Sequence, residues 1–265
     1  MKFYPLLFIS LSCITLSAAE HYARFEPYER ATIKAAAAGE ILEANLSAEG
    51  RRVEGGVIVR IDDRLDRLDL NRSKASLKLI ARTLDLTRQM LPGLKESADR
   101  QARYSERMSK LSTASQTQKD QAYLAAVNAR NQYLSTLEKE STLQKQLLDL
   151  RQKISLLEDR IAKKNVRLKG RYLYRLDVRR GEYASPGMPL AVADDLRRGK
   201  LVIYLSPEEI KGIEGKKIWI DGKATDLRFA KIWKVSDEKY LSSYRAEIVL
   251  PPRFTFSSLH KVELK

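Results

Sequence analysis

Residues 39–56 read GEILEANLSAEGRRVEGG, and residues 170–187 read GRYLYRLDVRRGEYASPG. Both stretches place glycine at the same three positions: Gly39, Gly50 and Gly56 in the first, Gly170, Gly181 and Gly187 in the second. Ile41 and Val53 correspond to Tyr172 and Ala184. Glycine recurs where a tight turn needs positive φ, a conformation that a Cβ resists. The residues around these glycines are β-branched and aromatic with turn signals between them, the mark of short strands. The two copies lie symmetrically about a long segment of different composition. They are therefore expected to be two halves of one β-domain interrupted by an insertion.

The insertion reads as helix. From about Leu65 to Asn165 the Pro92-Gly93 pair supplies the only proline and glycine. Leu, Ala, Lys, Arg, Gln and Glu, all good helix formers, dominate. Leu143, Leu147, Leu150, Ile154, Leu157 and Ile161 alternate at spacings of four and three, the seam of a coiled coil. Continued backwards, the register passes through Glu140, Thr136 and Tyr133, then the small residues Ala129, Ala126 and Ala122. In the first half Leu70, Leu77, Ile80, Leu84, Leu91, Leu94, Ala98 and Met108 share one register, with Ser73, Thr87, Gln101 and Ser105 interrupting it. A polar break at residues 112–117 (STASQT) separates the two stripes. Two amphipathic arms around a short break predict an antiparallel helical hairpin. Each arm has about 47 residues, a reach of about 70 Å at helical rise. Interior proline costs about 3 kcal/mol, so a kink or break is expected at Pro92-Gly93.

After the second glycine copy, Leu201–Leu205, Lys217–Ile220, Ala230–Val235 and Tyr244–Leu250 read as strands, and Pro207-Glu208-Glu209-Ile210 as a helix start. This composition suits a small β-barrel over 196–265. At the other end, Lys2, the apolar run Leu6–Leu16 and Ser17-Ala18-Ala19 form an export signal with cleavage expected after Ala19. A membrane anchor would need about 20 apolar residues, more than this run has. Cys13 is the single cysteine, and Ser10-Leu11-Ser12 is a poor flank for lipid attachment. The mature chain would then hold no cysteine and no internal disulfide.

The 265 residues carry a formal net charge of +15. In an exported protein that charge points away from nucleic acid, towards anionic lipid headgroups or acidic protein surfaces. The inventory of reactive groups is thin. His21 and His260 are the only histidines. Met90, Met108 and Met188 are dispersed packing residues, and no carboxylate pair stands out for acid–base chemistry. No catalytic residue, cofactor-binding residue or metal ligand is expected.

The order of parts resembles the periplasmic adaptors of tripartite efflux pumps, the membrane fusion proteins of the HlyD/RND type. Gly39-Glu40-Ile41-Leu42 through Gly50–Gly56 to Ile61-Asp62 is similar to that family's first half-motif, and Gly170 through Arg180-Gly181-Glu182-Tyr183-Ala184-Ser185-Pro186-Gly187-Met188-Pro189-Leu190 to its second. The resemblance implies an α+β fold: a long antiparallel α-helical coiled-coil hairpin inserted between two halves of a lipoyl-like β-domain, followed by a small β-barrel. The corresponding divisions are a signal peptide at 1–19, an N-terminal strand at 20–34 that joins the barrel, lipoyl-like halves at 35–62 and 166–195, the hairpin at 63–165 with its tip at 112–117, and the barrel at 196–265. The chain ends at Lys265, too soon for the full membrane-proximal domain of many members. No lysine is presented in the lipoyl turn, so no lipoyl or biotinyl group is expected.

The resemblance also implies partners: an inner-membrane efflux transporter, an outer-membrane channel of the TolC type, and further copies of the chain packed side by side in a ring, with the assembly in the periplasm. The transporter is expected to be of the resistance-nodulation-division class, with an ABC exporter or type I secretion system as the alternative. A free periplasmic coiled-coil chaperone or spacer would need no paired glycine motifs. The family's tip pattern is an Arg, a Leu four residues on and a Ser seven further. Arg107 and Leu111 match its first two members, Ser115 comes three residues early, and Asp120 follows it at a family-like distance. These four residues are the expected partner-binding site.

Overall fold

The computed structural model describes residues 19–236, 240 and 242–265. The expected export segment up to Ala18, with Cys13, lies outside them. The chain opens with β1 (Ala19–Lys34), β2 (Gly39–Ala44), β3 (Arg51–Val53) and β4 (Val57–Ile61). Two long helices follow, α1 (Arg64–Lys110) and α2 (Gln116–Lys164). Then come β5 (Asn165–Arg167), β6 (Arg171–Leu176), β7 (Tyr183–Ala184), β8 (Pro189–Leu205) and a single helical turn α3 (Pro207–Ile210). The chain closes with β9 (Ile218–Ile220), β10 (Lys223–Ala224), β11 (Phe229–Ile232), β12 (Tyr244–Leu250) and β13 (Leu259–Leu264).

The two glycine copies fold against each other reciprocally. The start of the first copy pairs with the end of the second, Gly39 opposite Ala184. The end of the first pairs with the start of the second, Val53 opposite Arg171. The turn glycines exchange similar hydrogen bonds, one residue out of strict register: Gly181 N–H donates to Ile41 O at 2.8 Å, and Gly50 N–H donates to Leu173 O at 2.9 Å. The half-motifs therefore form one β-unit of approximate two-fold symmetry, although the hairpin separates them in sequence. Its core holds Ile41, Ile58, Ile61, Leu173, Val178 and Leu190. Each such side chain contributes about 1.5–3 kcal/mol by leaving water.

Gly50 and Gly181 sit at φ +70° and +88°, and a Cβ on Gly181 would meet no atom within 4 Å. The penalty for a side chain at 181 is thus a backbone penalty. Gly181→Ala is expected to cost about 1–2 kcal/mol, and Gly181→Val more because its branched Cβ narrows the allowed φ further. In a thermal melt Gly181→Val should lower the midpoint by roughly 4–8 °C. An unchanged midpoint would show that the turn tolerates another conformation.

A second core gathers Phe25, Leu201, Ile203, Ile218, Ile248 and Val262. Its strands run in the order β10-β9-β13-β1-β8-β12-β11. Among the described residues the end strands β10 and β11 do not pair, so this barrel-like sheet stays open along one seam. β1 and β8 pass through both β-units as one antiparallel ladder, and the expected division between 195 and 196 falls inside β8. The ladder shifts register between Pro27 and Glu29, where Pro27 faces Gly199. Ion pairs brace this neck. Arg30 donates two 2.8 Å hydrogen bonds to the buried Asp194, and Arg171 reaches Glu29 at 2.7 Å. Asp195 accepts the Arg197 guanidinium and amide, which holds its carboxyl down at about 2 despite burial.

Two expectations about the helices are narrowed by the structure. No break occurs at Pro92: α1 runs through it without interruption. Pro92 and Gly93 are exposed, where loss of one intrahelical donor costs less than it would in a buried stretch. The polar break also falls earlier than residues 112–117. Ser115 is the N-cap of α2, so Gln116 and Thr117 are already helical and the connection is 111–115.

Candidate functional site at the hairpin tip

The hairpin is held along its length by a seam and at its base by ions. Leu84, Leu143 and Leu147 form a buried cluster with Leu77 and Ile80 against them. Polar seam residues are satisfied locally. Thr87 Oγ1 donates to Thr83 O at 2.8 Å, and Arg88 crosses to Glu140 at 2.8 Å, which holds the Glu140 carboxyl below its ordinary value. Towards the tip the seam narrows to the buried alanines Ala98 and Ala122, as small residues at these positions require for close approach.

At the base, Asp63 Oδ2 accepts Asn165 Nδ2 at 2.8 Å and pairs with Arg67 at 2.8 Å. Burial pushes this carboxyl up, but the two hydrogen bonds outweigh it and hold Asp63 below its ordinary value. Asp66 pairs with Lys164 at 2.6 Å and Arg160 at 3.3 Å. The first turn of α1 is therefore tied to the last turn of α2 where both leave the β-unit. Such buried, multiply bonded pairs fix geometry more than they add stability.

The tip carries the four residues expected to bind a partner. Arg107, in the last turn of α1, is exposed and makes no hydrogen bond or ion pair with the described residues. Leu111 caps that helix with 48% of its surface exposed. Ser115 is occupied in folding. Its Oγ accepts Gln118 N–H at 3.3 Å while its own N–H donates to Gln118 Oε1 at 2.9 Å, a capping box. Asp120 accepts a hydrogen bond from Gln116 one turn away. Nearby, the Lys110 ammonium at 2.7 Å holds the Glu106 carboxyl below its ordinary value. The four expected tip residues thus gather at one end of the hairpin, with Arg107 and Leu111 exposed and Ser115 and Asp120 engaged in local hydrogen bonds. The six glycines lie in the turns of the β-unit at the other end: Gly39 opens β2, and Gly56, Gly170 and Gly187 stand just before β4, β6 and β8.

No protein-family model and no curated sequence matches this chain. Solved structures do. MacA from Actinobacillus actinomycetemcomitans superposes with a TM-score of 0.71 over 94% of this chain and 78% of that one, at 12% identity. Spr0693 from Streptococcus pneumoniae R6, described as a membrane fusion protein, superposes with a TM-score of 0.64 over 92% of this chain and 99% of that one, at 10% identity. The chain has the fold of a membrane fusion protein. A chimera of MacA carrying the Pseudomonas aeruginosa MexA α-hairpin domain matches at a TM-score of 0.61 and 10% identity, over 94% of this chain and 78% of the chimera. Within this membrane fusion fold the inserted hairpin is the element that projects. Exposed Tyr104 and Tyr123 sit near the tip and were absent from the residues singled out in the sequence. Tyr104 lies one helical turn before Arg107 on α1, whereas Tyr123 reaches the same end from α2 only through the hairpin.

Proposed function

We propose that this chain is a non-enzymatic periplasmic adaptor that links an inner-membrane transporter of the resistance-nodulation-division class to an outer-membrane channel of the TolC type, for efflux of small toxic compounds. The observation that carries the reading is the tip: an unpaired arginine and an exposed leucine at the end of an arm of about 70 Å, anchored at its base by ion pairs. An arm of that length spans a gap, and a free guanidinium beside an apolar side chain suits a protein surface. The barrel-like unit grips the transporter, and several copies pack side by side, since one narrow hairpin encloses no conduit. Among the described residues no helix is long and apolar enough to cross a membrane.

The mature chain is expected to begin near Glu20, as N-terminal sequencing of the envelope-associated form will show. Recovery of Met1 would overturn the export reading. Crosslinked envelopes test the role itself. Affinity capture should recover an inner-membrane transporter and an outer-membrane channel together. Recovery of soluble periplasmic proteins alone would refute the adaptor and favour a chaperone.

A further inference from the structure

The seam of the barrel-like sheet is kept open by its own hydrogen bonds. Residues 225–228 alone join β10 to β11, a connection short enough for a hairpin, yet among the described residues the two strands do not pair. The chain after β10 turns back to β9 instead: Thr225 N–H and Oγ1 both donate to Ile218 O, at 3.0 and 2.7 Å. β11 pairs with β12 alone. Trp233 N–H donates to Arg245 O at 2.9 Å and Lys231 stands opposite Glu247, so the intervening Ile232 and Ala246 are a non-hydrogen-bonded pair. The N–H and C=O of Ile232 therefore point into the seam. Beside them runs a groove of about 710 Å³, between Ile232 and Trp233 on one side and Ile210 and Ile213 of the α3–β9 connection on the other. Ile213 is buried in the apolar core of this unit, and Ile210 and Ile232 pack against that core half-exposed.

We propose that the free edge of β11 is a docking site for an extended, acidic segment of a partner protein, which joins the sheet as a further strand. An exposed edge offers main-chain bonds to such a segment, and alternate side chains then select it. The residue opposite Ile232 shares its face of the sheet, so inward side chains lie over Ile210, Ile213 and Ile232 and suit apolar groups. Outward side chains lie beside Lys231 and Trp233, where the Lys231 ammonium sits 4.3 Å from the indole centroid. Lys211 and Lys234 line the same groove, and Arg228 precedes β11. None of these four cations makes an ion pair with the described residues. Glu214 is the one carboxylate that lines the groove. Glu247, opposite Lys231, is already taken by Lys200 at 2.9 Å and Arg245 at 2.7 Å. The lysines also decide against a second copy of this chain as the occupant. Two β11 edges brought together would crowd like charges, whereas an acidic strand neutralises them.

A blocked peptide of alternating glutamate and valine, titrated into the full-length protein, tests the edge. The Ile232 amide should exchange freely with solvent in the unbound protein and at least about tenfold more slowly at saturation, as capture of one backbone hydrogen bond implies. Lys231→Glu with Lys234→Glu should weaken binding about tenfold or more, since two charge-assisted contacts are lost. Both side chains are exposed, so the thermal melt should not change. Lys145→Glu with Lys153→Glu makes the same change of charge on α2 and should leave binding as it was. Valine N–H groups are the ones that face β11 in this pairing. Their methylation should abolish binding, and methylation of the glutamate N–H groups, which point away, should not. Binding indifferent to where the methyl groups sit, binding that survives the Lys231 and Lys234 changes, an Ile232 amide already protected in the unbound protein, or no binding at about 1 mM peptide would each overturn the proposal. None of these outcomes depends on the adaptor reading.

Discussion

Gly199→Ala is expected to lower the melting temperature by roughly 6–12 °C. The added Cβ would overlap Cζ and Cε2 of the Phe25 ring and lie 2.8 Å from Cε1. Phe25 is fully buried and cannot swing aside, because Phe256 stacks on it at 4.9 Å and Phe254 meets it edge-on at 5.6 Å. Overpacking of this kind costs about 3 kcal/mol, and a chain of this size loses about 2–4 °C per kcal/mol. The effect should spread to both β-units, since Gly199 lies in the ladder of β1 and β8 that runs through them. Phe25→Leu in the same chain should recover part of the loss by shortening the ring's reach, a coupling that a double-mutant cycle measures. A melt unchanged by Gly199→Ala would mean that Phe25 has another place to go.

The largest functional effect is expected at the tip. Arg107→Glu with Leu111→Asp reverses a charge and removes an exposed apolar contact, while neither side chain holds the hairpin together. Helicity by circular dichroism should remain at the wild-type level. Hot-spot losses of this type reach about 2–4 kcal/mol, so capture of an outer-membrane partner should drop by roughly 30-fold or more, and susceptibility to exported compounds should rise. Loss of helicity would assign these residues a structural role instead. By contrast, Ser115→Ala should cost about 1 kcal/mol of local helix stability, because its hydroxyl already caps α2.

What could be read from the sequence follows from how locally it is encoded. The heptads of α2 show because a coiled-coil seam repeats every few residues, and the glycine copies show because each turn imposes its own conformational demand. The repeat implied that the two copies share one β-domain, while the bonds of Gly50 to Leu173 and of Gly181 to Ile41 emerge only in the fold. The clamp of Asp63 and Asp66 onto Arg160, Lys164 and Asn165 was not, since about a hundred residues separate the partners and ordinary charged residues form it. The expected kink or break at Pro92-Gly93 is not a break, because an exposed helix face tolerates the loss of one intrahelical bond. At the tip, Arg107 and Leu111 were legible only through the family resemblance. The capping role of Ser115 was open to view in the spacing Ser115-Gln116-Thr117-Gln118. The contacts of His260 with Ser258 and Asp221 lay hidden because Asp221 meets His260 only when β9 and β13 pair.

The two ends of the molecule should touch proteins of different membranes, and that is the claim to measure. A photoreactive residue in place of Lys110 reports from the tip, and one in place of Lys217 reports from the exposed edge beside β9. Irradiation of living cells followed by mass spectrometry of the adducts identifies what each end meets. The account predicts an outer-membrane channel protein from position 110 and an inner-membrane transporter from position 217. The same partner at both positions, or soluble proteins alone at both, would contradict it.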